Sequence, residues 1–138
     1  MLLYSCSTNG TNSEDIASSI EIKFSNSETF LIDDPIELFL VNKSSSCIVF
    51  PLVDGLRIYT QQNGKKVEIK NLINNMGSQD LILYPKGEIL STRSLDLRPD
   101  ITGLKIDKPT DFSVILTGYL CENEAIQIQK EILVTITP

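Results

Sequence analysis

Three cysteines, Cys6, Cys47 and Cys121, are the most reactive side chains of this 138-residue chain, which contains no histidine at all. Without imidazole there is no Ser-His-Asp or Cys-His triad, no side chain titrating unaided near neutral pH, and no ordinary zinc set. A cysteine nucleophile needs a base or a cationic cluster to lower its pKa. None of the three has a lysine or arginine beside it in the chain. The carboxylates Asp33, Asp34, Asp54, Asp96, Asp100, Asp107 and Asp111 fall at turn signals, where such side chains bond their own backbone. No calcium-loop spacing is present, and nothing sets two carboxylates across a glycosidase cleft. The one grouping left open is Asp33-Asp34 meeting Asp107 or Asp111 at one end of the fold. Ser44-Ser45-Ser46 beside Lys43 reads as a polar turn rather than a Ser-Lys dyad, and the glycines are too dispersed to cradle a phosphate. We therefore expect no catalytic residue, no metal and no cofactor.

Binding is the chemistry that remains. Tyr59 and Tyr84 each lie beside apolar strand residues and carry a polar tip suited to a partner. Two tyrosines facing out of one sheet would form an anchor patch with Arg57. Tyr119 is a further candidate, with strand-end packing as its structural alternative. The partner class is narrowed by charge. Twelve basic residues are scattered among eighteen acidic ones, for a net charge of −6. Nucleic acid requires a clustered basic footprint, and an anionic membrane surface would repel the chain. A protein or glycan partner is expected, with membrane contact only through a lipid anchor. No apolar run approaches the ~18 residues of a spanning helix.

The elements that must hold these residues alternate with period two. Ile20, Ile22 and Phe24 share one face of a half-buried strand. Ile36–Val41 is apolar on both faces apart from Glu37, as in a central strand. Cys47–Phe50 ends at Pro51, Leu56–Thr60 turns at Asn63-Gly64, and Val67–Ile69 returns from that hairpin. Leu81–Tyr84 ends at Pro85, and Lys86-Gly87 turns the chain into an expected strand over 88–92. The leucines Leu95, Leu97 and Leu104 are expected under a loop. Strands over Phe112–Leu120 and Ile128–Ile136 close the chain, with 124–130 open to one helical turn or, equally, to the end of a β-hairpin. Residues 7–18, rich in Ser, Thr and Asn, read as a flexible stalk. About seven strands with turns between them specify one all-β domain over 19–138, an antiparallel β-sandwich. With 41% hydrophobic residues, 7% aromatic and no tryptophan, its core must be built mainly from Ile, Leu and Val.

Two resemblances add to this. Met1-Leu2-Leu3-Tyr4-Ser5-Cys6, followed by a polar tract, resembles the lipobox of bacterial lipoproteins, which implies lipidation at Cys6 and an envelope location. Asn42-Lys-Ser, Ile48-Val-Phe-Pro51, Gly55-Leu-Arg-Ile-Tyr59, Asn63-Gly-Lys and Leu83-Tyr-Pro-Lys-Gly-Glu88 resemble bacterial immunoglobulin-like accessory domains, whose layout bacillus-type intracellular proteinase inhibitors share. In an immunoglobulin-like sheet the strand starting near Cys47 and the strand ending near Cys121 are antiparallel neighbours. That implies a Cys47–Cys121 disulfide; the alternative is two buried thiols packing as small hydrophobes. The expected function is a non-catalytic, envelope-tethered binding module, and the alternative is a protease-inhibitor-like domain acting through an exposed loop. Asn9-Gly-Thr11 and Asn42-Lys-Ser44 match the glycosylation triplet, as chance also allows.

Overall fold

Alternation in sequence becomes alternation in burial. Along Thr110–Leu120, the residues Phe112, Val114, Leu116, Gly118 and Leu120 are buried, while Ser113, Ile115, Thr117 and Tyr119 are half-buried on the opposite face. The computed structural model describes residues 13–24, 29–72 and 80–138. Within them a short helix, α1 (Ser13–Ser18), precedes β1 (Ile20–Phe24), β2 (Thr29–Leu31), β3 (Ile36–Asn42), β4 (Ile48–Pro51) and β5 (Leu56–Gln62). The chain continues through β6 (Lys65–Ile69), β7 (Asp80–Leu83), β8 (Thr92–Leu97), β9 (Thr110–Leu120) and β10 (Asn123–Thr137).

The strands form two layers. The smaller sheet has the order β1-β3-β8, and the larger runs β2-β10-β9-β4-β7 with β5 and β6 continuing beyond β9. β4 and β5 lie end to end along one edge of β9: Ile48 and Val49 face Leu120 and Tyr119, while Leu56 to Thr60 face Leu116 to Phe112. The residues between them bulge away, and the ladder resumes where the Thr117 N–H donates to the Gly55 carbonyl at 2.7 Å. β1 joins the small sheet beside β3, whereas β2 crosses to run parallel with the end of β10. This is the layout of an immunoglobulin-like sandwich. Its core is a single cluster in which Phe50 and Phe112 sit among Ile36, Leu38, Leu40, Ile48, Leu83 and Leu97. The sequence analysis also expected Ile132, Val134 and Ile136 to face one way; Val134 and Ile136 are buried and Ile132 packs against them from a half-buried position.

Several elements differ from expectation, each for a physical reason. Of the strand expected over 88–92, residues 88–91 are turns, because Gly87 and Leu90 both adopt positive φ (89° and 67°) and break the extended backbone, and β8 begins only at Thr92. Leu95 and Leu97 lie under no loop; they are buried positions of β8. Of the two readings open for residues 124–130, the hairpin end holds and the helical turn does not, since β10 pairs with β9 from Asn123 onward with a register shift before Gln127. The polar run that reads as stalk is helical from Ser13, with Glu14 and Asp15 in its first turn and Ile16 buried in the core. Acids there favour the helix N-terminus. Lys130 Nζ donates to the Ala17 carbonyl at 2.8 Å and ties this helix to β10. Residues 7–12 of that run, and Cys6 and Asn9 with them, lie outside the described residues.

Candidate functional site

Arg57 and Tyr59 stand on the outer face of the large sheet, two apart on β5 and therefore on the same side. Tyr59 faces Ser113 across the ladder and Arg57 faces Ile115. Both side chains are engaged locally. Arg57 pairs with Glu68 on β6 at 3.0 Å, and the Lys66 ammonium lies 4.3 Å from the Tyr59 ring centroid. Exposed contacts of these kinds are worth about 1 kcal/mol or less each. The same face carries Leu133, which is 62% exposed, and a hydrogen bond from the Ser113 hydroxyl to Glu131.

Tyr84 is not part of that patch. It follows Leu83, which faces Ile48, which in turn faces Leu120. Tyr59 faces Ser113, so the two tyrosines are separated by about 24 Å of strand at ~3.4 Å per residue. Tyr84 belongs to one end of the sandwich. Tyr119, opposite Val49, is near that end on the outer face.

The end is organised by a buried asparagine. Asn42, 1% exposed, uses its Nδ2 to donate to the carbonyls of Ser46 (2.7 Å), Leu83 (3.3 Å) and Tyr84 (3.0 Å). Its Oδ1 accepts from the Ser44 N–H at 2.9 Å and the Ser44 hydroxyl at 2.6 Å. A carboxamide so enclosed is closed to glycosylation. It also gives the Asn-x-Ser and Pro-x-Gly-Glu signals one physical meaning: the first pins the strand end from which the second departs.

The β7–β8 connection, 84–91, is held from several sides. The Asn42 N–H donates to Ser91, the Lys86 N–H to Ser44, the Glu88 N–H to Pro85 and the Tyr84 N–H to the Leu90 carbonyl, which closes the loop. Beside it, the Cys121 N–H donates to the Cys47 carbonyl, and Cys47 and Cys121 are joined by a disulfide with Cα atoms 5.3 Å apart. On this frame Ile89 is 85% exposed, Leu90 49% and Tyr84 40%. Leucine at positive φ is an outlier that persists only where its surroundings enforce it. Sequence reasoning missed Ile89 and Leu90 by placing them in a strand; the signal was two aliphatic residues directly after the Pro85-x-Gly87-Glu88 turn.

The opposite end holds a cleft of about 160 Å³ between the β2–β3 turn and the segment after β8. Ile32, Ile101 and Ile136 line it with Asp33, Asp34 and Arg98. Asp33 and Asp34 thus share a wall with an arginine, and Asp107 and Asp111 are not among the lining residues. Nearby, the carboxyl of Asp100 lies below the usual aspartate range because the Thr102 hydroxyl and N–H donate to it. Among the described residues no three carboxylates or thiols converge as a metal set, and no helix is long and apolar enough to cross a membrane.

No family model matches the chain, and no curated protein is significantly similar to it. Solved structures are similar. The periplasmic chaperone SfaE superposes with a TM-score of 0.55 at 11% identity, over 86% of this chain and 56% of its own. This chain therefore spans a little over half of that chaperone. A PapD-like domain of human CEP192 gives a TM-score of 0.45 at 8% identity, covering 86% of this chain and 84% of that domain. A superoxide reductase from Ignicoccus hospitalis gives 0.42 at 12% identity, over 91% and 89% of the two chains. The likeness to the chaperone is one of fold alone, an immunoglobulin-like β-sandwich.

Proposed function

We propose that the chain is a non-catalytic binding module of a bacterial cell envelope that engages a protein through the 84–91 loop. The observation that carries this is the pairing of exposure with rigidity. Ile89 and Leu90 offer apolar surface to solvent from a backbone fixed by hydrogen bonds to the β3–β4 turn. Groups already fixed lose little conformational entropy on binding, and apolar anchors dominate protein interfaces. A glycan, met mainly through hydrogen bonds, fits two exposed aliphatic side chains less well. The envelope part rests on the lipobox-like Cys6 and on a disulfide of the kind that persists in oxidising compartments. The absence of histidine favours binding over catalysis.

The test places a photocrosslinking residue at position 89 in cells expressing the full chain, with a control at Leu133. Discrete adducts from position 89 alone are expected. Equal or absent crosslinking at position 89 refutes the loop. Triton X-114 partitioning of the native protein and of Cys6→Ser tests the anchor, and aqueous partitioning of both removes it.

A second reading, protease inhibition by the same loop, is favoured by the fixed conformation at Leu90, since an inhibitory loop must enter a cleft without rearranging. A panel of proteases left unaffected by the pure protein eliminates it.

A further inference from the structure

Exposed apolar side chains are concentrated at the two poles of the sandwich. Of the large exposed hydrophobic residues, Tyr84, Ile89 and Leu90 sit at one pole and Leu31 and Leu72 at the other; only Val53 and Leu133 lie elsewhere among the described residues. The poles are opposite, because the start of β3 leads from the cleft and its end, Asn42, holds the loop. Seven residues of strand separate them by roughly 20 Å, at ~3.4 Å per residue.

The two poles are also unlike in shape and matched in chemistry. One projects a loop, Lys86-Gly87-Glu88-Ile89-Leu90, which carries one cation, one anion and two aliphatic side chains. The other is a cleft of about 160 Å³ with aliphatic walls and Asp33, Asp34 and Arg98 around them. Ligand sites for free small molecules occupy roughly 300–1,000 Å³, so this cleft is of side-chain size. The ion pairs among the described residues involve none of Asp33, Asp34, Lys86, Glu88 and Arg98. Lys86 and Glu88 of the loop thus each have an opposite charge outside those ion pairs at the cleft, Lys86 two acids and Glu88 one arginine.

Resting on the reading of the loop as a docking element, we infer that its partner is a second copy of this chain: Ile89, the more exposed of the two aliphatic side chains, enters the cleft of the next molecule, with Lys86 facing Asp33 and Asp34 and Glu88 facing Arg98. Such a contact is head-to-tail. It leaves a free loop at one end and a free cleft at the other, so it propagates unless the rotation happens to close a ring. One loop seated in a cleft of about 160 Å³ is a small contact beside stable complexes, which bury roughly 1,200–2,000 Å². Association therefore belongs to crowded conditions, such as many copies anchored on one surface, where effective concentration is high.

Sedimentation velocity of the full chain over a concentration series tests this. The wild type is expected to sediment faster as concentration rises, whereas Ile89→Asp and the double variant Asp34→Lys/Arg98→Glu each remain monomeric. These positions are exposed or line an open cleft, and circular dichroism confirms that the variants fold. Mixing the two variants restores one productive junction per pair, so a dimer and nothing larger is expected. A wild type monomeric at every concentration overturns the inference, as does association of Ile89→Asp alone or a mixture that stays monomeric. Crosslinking at position 89 separates the two levels. Adducts of twice the chain mass support self-pairing, while adducts of other masses only, with a monomeric wild type, overturn self-pairing and leave the loop as a docking element.

Discussion

Removing the Asn42 carboxamide leaves the carbonyl oxygens of Ser46, Leu83 and Tyr84 without the donor they share and the Ser44 N–H without its acceptor. Buried polar groups stripped of a partner cost roughly 1–3 kcal/mol each, although water reaches part of this site. Asn42→Ala is expected to lower stability by about 3 kcal/mol in urea unfolding, with slower-moving backbone amides at Tyr84–Ser91 becoming exchangeable. A loss under about 1 kcal/mol would show that the loop holds itself. A second residue-scale expectation concerns pH. The Glu21 carboxyl lies below its ordinary range, first because Lys43 donates to it at 2.6 Å and then because Lys23 does. Its folded value is below its unfolded one, so its contribution is present above the ordinary glutamate range and is lost as pH falls through the folded value. The group is exposed, so the effect on stability is small and salt-screened. Its titration by carbon NMR should move toward the ordinary value in Lys43→Gln; an unchanged midpoint would remove the pairing.

Strands were legible in the sequence by side-chain rhythm: β1, β5, β9 and the end of β10 put apolar residues on one face, β3 is apolar on both apart from Glu37, and the core followed. What was not legible depends on partners distant in sequence. β2 is a short run, Thr-Phe-Leu, that becomes a strand because Ile136 and its neighbours run parallel beside it. The 84–91 loop depends on Ser44 and Asn42, about 40 residues upstream. The patch expected from Arg57, Tyr59 and Tyr84 divided between a sheet face and a pole, because side-chain rhythm fixes which face a residue takes but not how far along the sandwich it lies. The disulfide operates at this scale. β4 meets β9 through only two facing pairs, and Cys47–Cys121 closes their shared end across a sequence separation of 74. Chain-entropy arguments put such a bridge at about 4 kcal/mol. The double variant Cys47→Ala/Cys121→Ala should lose about that much in non-reducing urea unfolding, and reductant should bring the wild type down to meet it. Coincident curves without reductant would mean that the β-ladder alone secures this end.

At the scale of the whole molecule, the question is where the domain begins. The composition of residues 7–18 reads as a stalk, since nothing in it is periodic. The structure instead sets α1 against β10, where Ile16 joins the same core cluster as Phe30 and Ile128. One large apolar residue, Ile16, beside Ala17 in a polar run carries no periodic signal, and only the gap it fills reveals its role. Sandwiches have open sides where the two sheets part; on one side here Arg93 of β8 reaches across to the Ile82 carbonyl of β7 at 3.2 Å, and α1 packs against both β1 and β10. If Ile16 fills part of the core, Ile16→Ala deletes buried methyl groups from a site that the strands around it cannot collapse to fill. Such truncations cost about 2–5 kcal/mol. If α1 merely rests on the surface, the cost is within about 0.5 kcal/mol, as for most exposed substitutions. We expect a loss near 3 kcal/mol, read as a lower urea midpoint at unchanged slope, because only stability and not the extent of unfolding is altered. Any tether ahead of Ser13 would then pull on a helix built into the core. Force or flexibility there is transmitted to the sandwich itself, which a stalk reaching to residue 18 would have absorbed.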